Sequence, residues 1–190
     1  MKDDAQTYWI MEPRQLVEMA SPRRQHIVDR LAATGPLSIK ELAAQIGARP
    51  SALYHHVEKL LDVELIVHAG WRTVHRKREQ LYAARAKKMR LLRALADGKQ
   101  QALMEKIVGS LARQMERDFR AGGASPDRRA DGPERNYGFF RLIGQPAPDD
   151  LARINACLQE VAEILWDRRD ESAPIVCLEW IMTPLAPAGD

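Results

Sequence analysis

Arg49, Pro50, Ser51, Tyr54 and His55 lie within seven residues, and Arg72, Arg76, Lys77 and Arg78 form a second basic group downstream. A guanidinium can read guanine O6 and N7 together or clamp a phosphate, and a serine hydroxyl both donates and accepts. A proline can touch a thymine methyl, and a phenol or imidazole reaches either a base edge or a phosphate. Lys40 adds one more candidate phosphate contact. This mixture suits recognition of a polyanion better than bond-breaking chemistry. The chain has no GxSxG, no glycine-rich phosphate loop and no HExxH. All five histidines precede residue 76, while the two cysteines stand at 157 and 177, so no nucleophile–base pair can be nominated. No enzyme is expected. The cysteines show neither CxxC nor CxC spacing, so no metal, cofactor or disulfide is expected. Two buried, reduced thiols are the reading.

Those residues need elements to position them. Glu12 to Met19 reads as a short helix, and Ser21-Pro22 starts another that stops at Gly35-Pro36. Ser38-Ile39-Lys40-Glu41 is a capping box opening a helix that buries Leu42, Ala43 and Ile46 and ends at Gly47. Pro50-Ser51 begins a further helix with Leu53, Val57, Leu60 and Leu61 inward. Two helices about a tight turn, small residues at the crossing, give a helix-turn-helix layout. His56 falls on the inward side and is expected to pack there with a hydrogen bond. Leu65 to Val67, a basic tip over 73–78 and Gln80 to Ala83 form a hairpin directly after the second helix. That is a wing, and phosphates would offset the mutual repulsion of its cations.

Charge follows the same division. Residues 21–93 hold 15 Lys/Arg against 6 Asp/Glu, whereas residues 94–190 hold 12 against 16. At 45% hydrophobic and 29% charged residues, the 190-residue chain is composed like a globular protein. It has no apolar run long enough to span a bilayer and no secretion signal in MKDDAQTYWIMEP, so a cytoplasmic location is expected. Beyond the wing, Arg85 to Leu95 reads as a basic helix with Met89, Leu92 and Leu95 as its stripe, broken at Asp97-Gly98. Lys99 to Ala121 reads as the longest helix, with Leu103, Ile107, Leu111, Met115 and Phe119 on one side. Residues 122–135 read as a mobile loop. A helix from Asp149 or Asp150 to Asp170 places Leu151, Ile154, Leu158, Val161 and Leu165 at spacings of 3 and 4, either a core stripe or a dimer seam. Tyr137–Ile143 and Ile175–Met182 are expected as a two-stranded pair.

The pieces Ser21-Pro22-Arg23, Ile39-Lys40-Glu41-Leu42-Ala43 and Ser51-Ala52-Leu53-Tyr54-His55-His56-Val57 resemble the winged helix-turn-helix of ArsR-like transcriptional regulators over about residues 10–84. His56 falls where that family carries a recurrent histidine. Glu64 stands where the family usually has glycine, which suggests a looser turn. No cysteine precedes Cys157, so the family's metal-sensing site does not carry over.

The expected fold is mainly α with small β-hairpins: a winged helix-turn-helix at 10–84 and a helical dimerisation or effector region at 85–184 with a short two-stranded sheet. The expected function is a homodimeric, sequence-specific DNA-binding regulator, with repression as its mode. Its dimer surface is expected from 12–20, 85–97 or 99–121. A small-molecule effector would meet Tyr137, Phe139, Phe140, Trp166 and Trp180, which otherwise form a second core. The rival is a winged-helix protein–protein module, which calls for an acidic or apolar outer face at 49–58; Arg49, His55 and the wing tip argue for DNA. RNA binding lacks its usual stacking aromatics.

Overall fold

The computed structural model describes residues 7–91, 93, 94, 98–167, 170 and 172–185. Thr7–Trp9 (β1) leads into Pro13–Met19 (α1) and Pro22–Thr34 (α2). Leu37–Ser38 (β2), Ile39–Gln45 (α3), a 3-10 turn at Pro50–Ala52 and Tyr54–Asp62 (α4) follow. Ile66–Val74 (β3) and Lys77–Ala84 (β4) form the hairpin, then come Lys88–Arg90 (β5), Gln101–Gly123 (α5) and Pro148–Asp167 (α6). The strands β2, β4 and β3 make one antiparallel sheet in that order, and β1 pairs with β5 in parallel.

One core joins these elements. Leu16, Ile27, Leu31, Leu42, Leu53, Leu60, Leu65 and Ile66 are almost wholly buried, and Ile107 of α5 belongs to the same cluster. Large aliphatic side chains removed from water in this way supply most of the driving force for folding. Two buried glutamines tie it together. Gln15 Nε2 donates to Tyr8 Oη (2.8 Å) and to the Val63 carbonyl (2.9 Å), while Ser110 Oγ donates to Gln25 Oε1 (3.2 Å). The second bond bridges α2 and α5, so α5 is fastened to the helix-turn-helix by a paired polar contact that apolar packing surrounds.

Several expectations are corrected. Arg85 to Leu95 is not a helix over its described middle, because β5 occupies Lys88–Arg90 and β1 supplies its partner. Thr7, Tyr8 and Trp9 are β-branched or aromatic, and their pairing with 88–90 outweighs the local helical period. Leu92, Leu95 and Asp97 lie outside the described residues. A two-stranded sheet exists, but it is β1 with β5; residues 137–143 and 175–182 run without strand pairing. The loop after α5 folds back on itself: Asn136 Nδ2 donates to the Asp127 carbonyl (2.9 Å), and Arg129 N–H donates to Asn136 Oδ1 (2.8 Å). Cys157 and Cys177 are free but exposed rather than buried, because α6 and 175–182 leave much of their surface open.

Glu64 does not loosen its turn. It adopts φ 56°, the left-handed conformation that closes a helix C-terminus, and its N–H donates to the Leu61 carbonyl (2.9 Å). A side chain is held where glycine would sit without cost. Glu64→Gly should therefore raise stability by about 1 kcal/mol, since the exposed Arg85 pair it loses is worth little. A calorimetric melt checks this, with Tm expected to rise by about 2–4 °C; a fall would assign the Glu64 side chain a stabilising contact.

Candidate nucleic-acid interface

The capping box forms as its sequence predicts. Ser38 Oγ accepts from the Glu41 N–H (3.4 Å), and the Glu41 carboxylate accepts from the Ser38 N–H (2.9 Å). α3 then ends at Ile46, and Gly47 at φ 62° turns the chain so that the Ala48 N–H donates to the Ala43 carbonyl (2.9 Å). Ala43 is buried at this crossing.

α4 and the 3-10 turn that leads into it present two faces. Leu53, Val57 and Leu60 point into the core, while Arg49, Pro50, Ser51, Tyr54 and His55 are exposed, Tyr54 at 55%. His56 turns inward and is half-buried. Its pKa is lowered by burial first and then by Arg24, His55 and Arg23, so the ring is neutral at pH 7. The expected hydrogen bond is missing at one nitrogen: among the described residues His56 Nδ1 has no partner.

The wing closes through a two-residue turn. His75 (φ 47°) and Arg76 (φ 63°) both take left-handed conformations between Val74 and Lys77, the backbone of a type I′ hairpin. Arg76, Lys77 and Arg78 are all exposed. Thr73 pairs with Arg78 and Trp71 with Gln80 across the ladder, so these four share a face. Arg78 uses that proximity, its guanidinium lying 4.6 Å from the Trp71 ring centroid. A register shift between His68 and Trp71 contains Gly70 (φ 93°), whose carbonyl accepts from Gln80 Nε2 (2.7 Å). Trp71, 55% exposed, is the site residue that the sequence reading missed. The signal was present as a glycine beside an aromatic inside a strand, which marks a bulge that re-aims a side chain.

Two of the predicted cations are engaged with acids. Lys40 Nζ lies 2.8 Å from Glu79, and Arg72 lies 2.8 Å from Glu41 and 3.6 Å from Glu79. Partial burial pushes the Glu41 carboxyl up, but the Ser38 and Arg72 contacts outweigh it and hold the group below the usual range. Lys40 chiefly, with Ser38 and Arg72, holds Glu79 down as well. This four-residue network pins the base of the wing to the start of α3. Among the described residues, no acid pairs with Arg49, Arg76, Lys77 or Arg78. Of the cations named as candidate contacts, those without an acid therefore sit on the recognition turn and the wing tip.

The basic residues after the wing are positioned differently. Lys88 is buried and pairs with Asp167 (3.2 Å), and Arg90 donates to Gln159 (3.0 Å) with its guanidinium 4.5 Å from the Trp166 ring. Arg93 lies over Trp9 at 4.1 Å. These cations fasten α6 and β1 to β5.

The five aromatics named for an effector divide into groups. Tyr137 stacks on Phe119 at 4.5 Å, Phe139 meets Phe119 edge-on at 6.1 Å, and Phe140 lies beneath Arg135. Trp166 belongs with Arg90, and Trp180 is exposed. Two shallow depressions, of about 330 and 570 Å³, are lined by other residues, between α2 and β4 and along α5. Among the described residues no group of His, Cys, Asp and Glu is arranged to hold a metal.

With this geometry in place, residues 19–69 match the family model described as a helix-turn-helix domain. The chain carries a winged helix-turn-helix domain. The match spans α2 to the first part of β3, and the hairpin completed by β4 is the wing. Among curated proteins nothing matches the chain. Two solved structures resemble it at low identity. ZitR of Lactococcus lactis, in the apo form of a double mutant, is 14% identical with a TM-score of 0.28, covering 78% of this chain and 86% of that one. RV1404 from Mycobacterium tuberculosis is 18% identical with a TM-score of 0.29, covering 79% and 84%. Scores this low add nothing to the assignment of the winged helix-turn-helix, which stands on the family match and the observed elements.

Proposed function

We propose that this protein is a sequence-specific DNA-binding transcriptional regulator, a repressor acting in the cytoplasm as a homodimer on a palindromic operator. The observation that carries the reading is the contrast between paired and unpaired cations. Lys40 and Arg72 are neutralised by Glu41 and Glu79, whereas Arg49 and the wing-tip residues Arg76, Lys77 and Arg78 face solvent without an acid. A helix entering the major groove meets base edges with its N-terminal residues, here Tyr54 and His55, and the 3-10 turn that leads into it adds Arg49, Pro50 and Ser51. The wing tip supplies phosphate or minor-groove contacts, adding affinity rather than sequence choice. One such domain makes few base contacts, so two copies on half-sites about one helical turn apart provide the selectivity. Lys40 and Arg72 then serve to hold the wing. A small apolar effector would meet the Tyr137–Phe139 group beside Phe119 rather than all five aromatics.

Fluorescence anisotropy against the DNA upstream of the protein's own gene tests this, with a scrambled duplex and a salt series in parallel. Tight binding to the upstream DNA alone is expected; equal, weak binding to both that vanishes with salt would favour the interaction-module reading. Tyr54→Ala should weaken the preferred site more than the scrambled one, by about 1–3 kcal/mol. Equal losses on both duplexes would reduce Tyr54 to a phosphate contact.

A further inference from the structure

The outer side of α4 mixes two kinds of chemistry. Leu53, Val57 and Leu60 are buried, while Tyr54, His55 and Glu58 are exposed. Glu58 stands four positions beyond Tyr54 and three beyond His55, so the three share one flank of the helix. Tyr54 and His55 can donate hydrogen bonds, as can Ser51 in the preceding turn, whereas a carboxylate only accepts. Among the described residues no cation pairs with Glu58. Helix stability does not account for it either, because Asp62 follows at i+4, a like-charge spacing that weakens a helix slightly. Burial raises the Tyr82 phenol of β4, and Tyr54 and Glu58 raise it further, so these three lie near one another where α4 faces the wing's sheet. His68 meets the Tyr82 ring there at 5.4 Å.

An acid is out of place on a surface that only grips phosphates, because each of them repels it. Against a base edge it has a use. In the major groove guanine O6 and N7 and thymine O4 are acceptors that a carboxylate opposes, and the donors are cytosine N4 and adenine N6. Adenine N6 adjoins the acceptor N7 and suits a carboxamide, which donates as well as accepts; cytosine N4 is the donor that a carboxylate takes. We propose that Glu58 is a specificity-determining residue that accepts a hydrogen bond from cytosine N4 in the major groove, so that each half-site carries a preferred C·G pair. This inference rests on the DNA-binding reading and deepens it. At about 1.5 Å of rise per residue, Glu58 lies roughly 6 Å along α4 from Tyr54, against about 3.4 Å per base step. The two side chains therefore address different base pairs.

The test is selection from a random-sequence duplex library by the full chain, with wild type, Glu58→Ala and Glu58→Gln in parallel, followed by anisotropy on the duplex that the wild type enriches. The wild type should enrich cytosine at one position of each half-site, and a C·G to T·A change there should weaken its binding about tenfold or more. Glu58→Ala should bind those two duplexes within about twofold of each other, and should bind a scrambled duplex more tightly than the wild type does, since a repulsive charge is gone. Glu58→Gln should move the enriched base at that position from cytosine to adenine. A purely structural role would give neither the lost discrimination nor the change of base. Glu58→Gln keeps the shape of the side chain, so it decides the matter if the alanine variant does not fold. One motif enriched alike by all three proteins, with equal discrimination, overturns the role of Glu58 and leaves the DNA-binding reading standing. A wild type that enriches no motif overturns both.

Discussion

Changing Arg76, Lys77 and Arg78 together to alanine should weaken binding by a similar factor on every duplex, on the order of a hundredfold per protomer at physiological salt, and flatten its salt dependence. Each phosphate neutralised by a cation releases counterions and contributes about 0.9 to the slope of log affinity against log salt. Three lost contacts therefore remove nearly three units per protomer. The structure supplies its own control. Lys40→Ala and Arg72→Ala together delete two formal charges against the triple variant's three, but each cation is already matched by Glu79 or Glu41 within 2.8 Å. Those two changes should alter the slope by less than one unit, with a modest loss of stability because the wing's anchor to α3 is cut. Arg78 sits between the two cases, since Trp71 holds its guanidinium in place without neutralising it. Anisotropy titrations at four or five salt concentrations separate these outcomes. An unchanged slope in the triple variant would remove the wing tip from the interface.

What was legible in the sequence was local. The Ser38–Glu41 box, the Pro22 start and the inward spacing of Leu53, Val57 and Leu60 are set by neighbours within one or two turns, and each forms as read, whereas Pro50 opens a 3-10 turn and the α-helix itself starts four residues later at Tyr54. What was not legible depends on partners far along the chain. β5 exists because Thr7–Trp9 lies beside it, some eighty residues away, and no periodicity within 85–95 could report that. The ion pairs of Lys40 with Glu79 and of Lys88 with Asp167 have the same origin. Seen alone, such cations suggest a phosphate; with the fold in place, they fasten one element to another. The cysteines err in the opposite sense. Apolar runs around Cys157 and Cys177 suggest burial, but α6 and 175–182 leave them at the surface. Cys177 is crowded on one flank, and that burial, followed by Glu179, Asp29 and Asp118, pushes its thiol up to about 12. A thiol held protonated at neutral pH is a poor nucleophile and a poor redox sensor, even with one flank open.

The tip of the wing is where fold and function pull apart, and this yields the second prediction. A type I′ turn needs positive φ at both central residues, and Asn-Gly meets that need with the least strain. Here the positions are His75 at 47° and Arg76 at 63°. A non-glycine residue in the left-handed region costs about 1–2 kcal/mol, somewhat less for histidine, and nothing in the fold requires a cation at Arg76, which is exposed. Local strain kept at an exposed position points to a use for the side chain there. Replacing the pair, His75→Asn with Arg76→Gly, should therefore raise the unfolding free energy by about 2 kcal/mol and Tm by several degrees. The same change should lower DNA affinity and reduce the salt slope by about one unit per protomer. Denaturant melts and anisotropy on one preparation measure both quantities. Opposite signs mark a residue retained for binding at the expense of stability. A gain in stability with undiminished binding would show that Arg76 touches no phosphate, moving the wing's contribution to Lys77 and Arg78. A loss of stability would mean that the His75-Arg76 side chains support the hairpin, and that the tip is shaped by folding rather than by DNA.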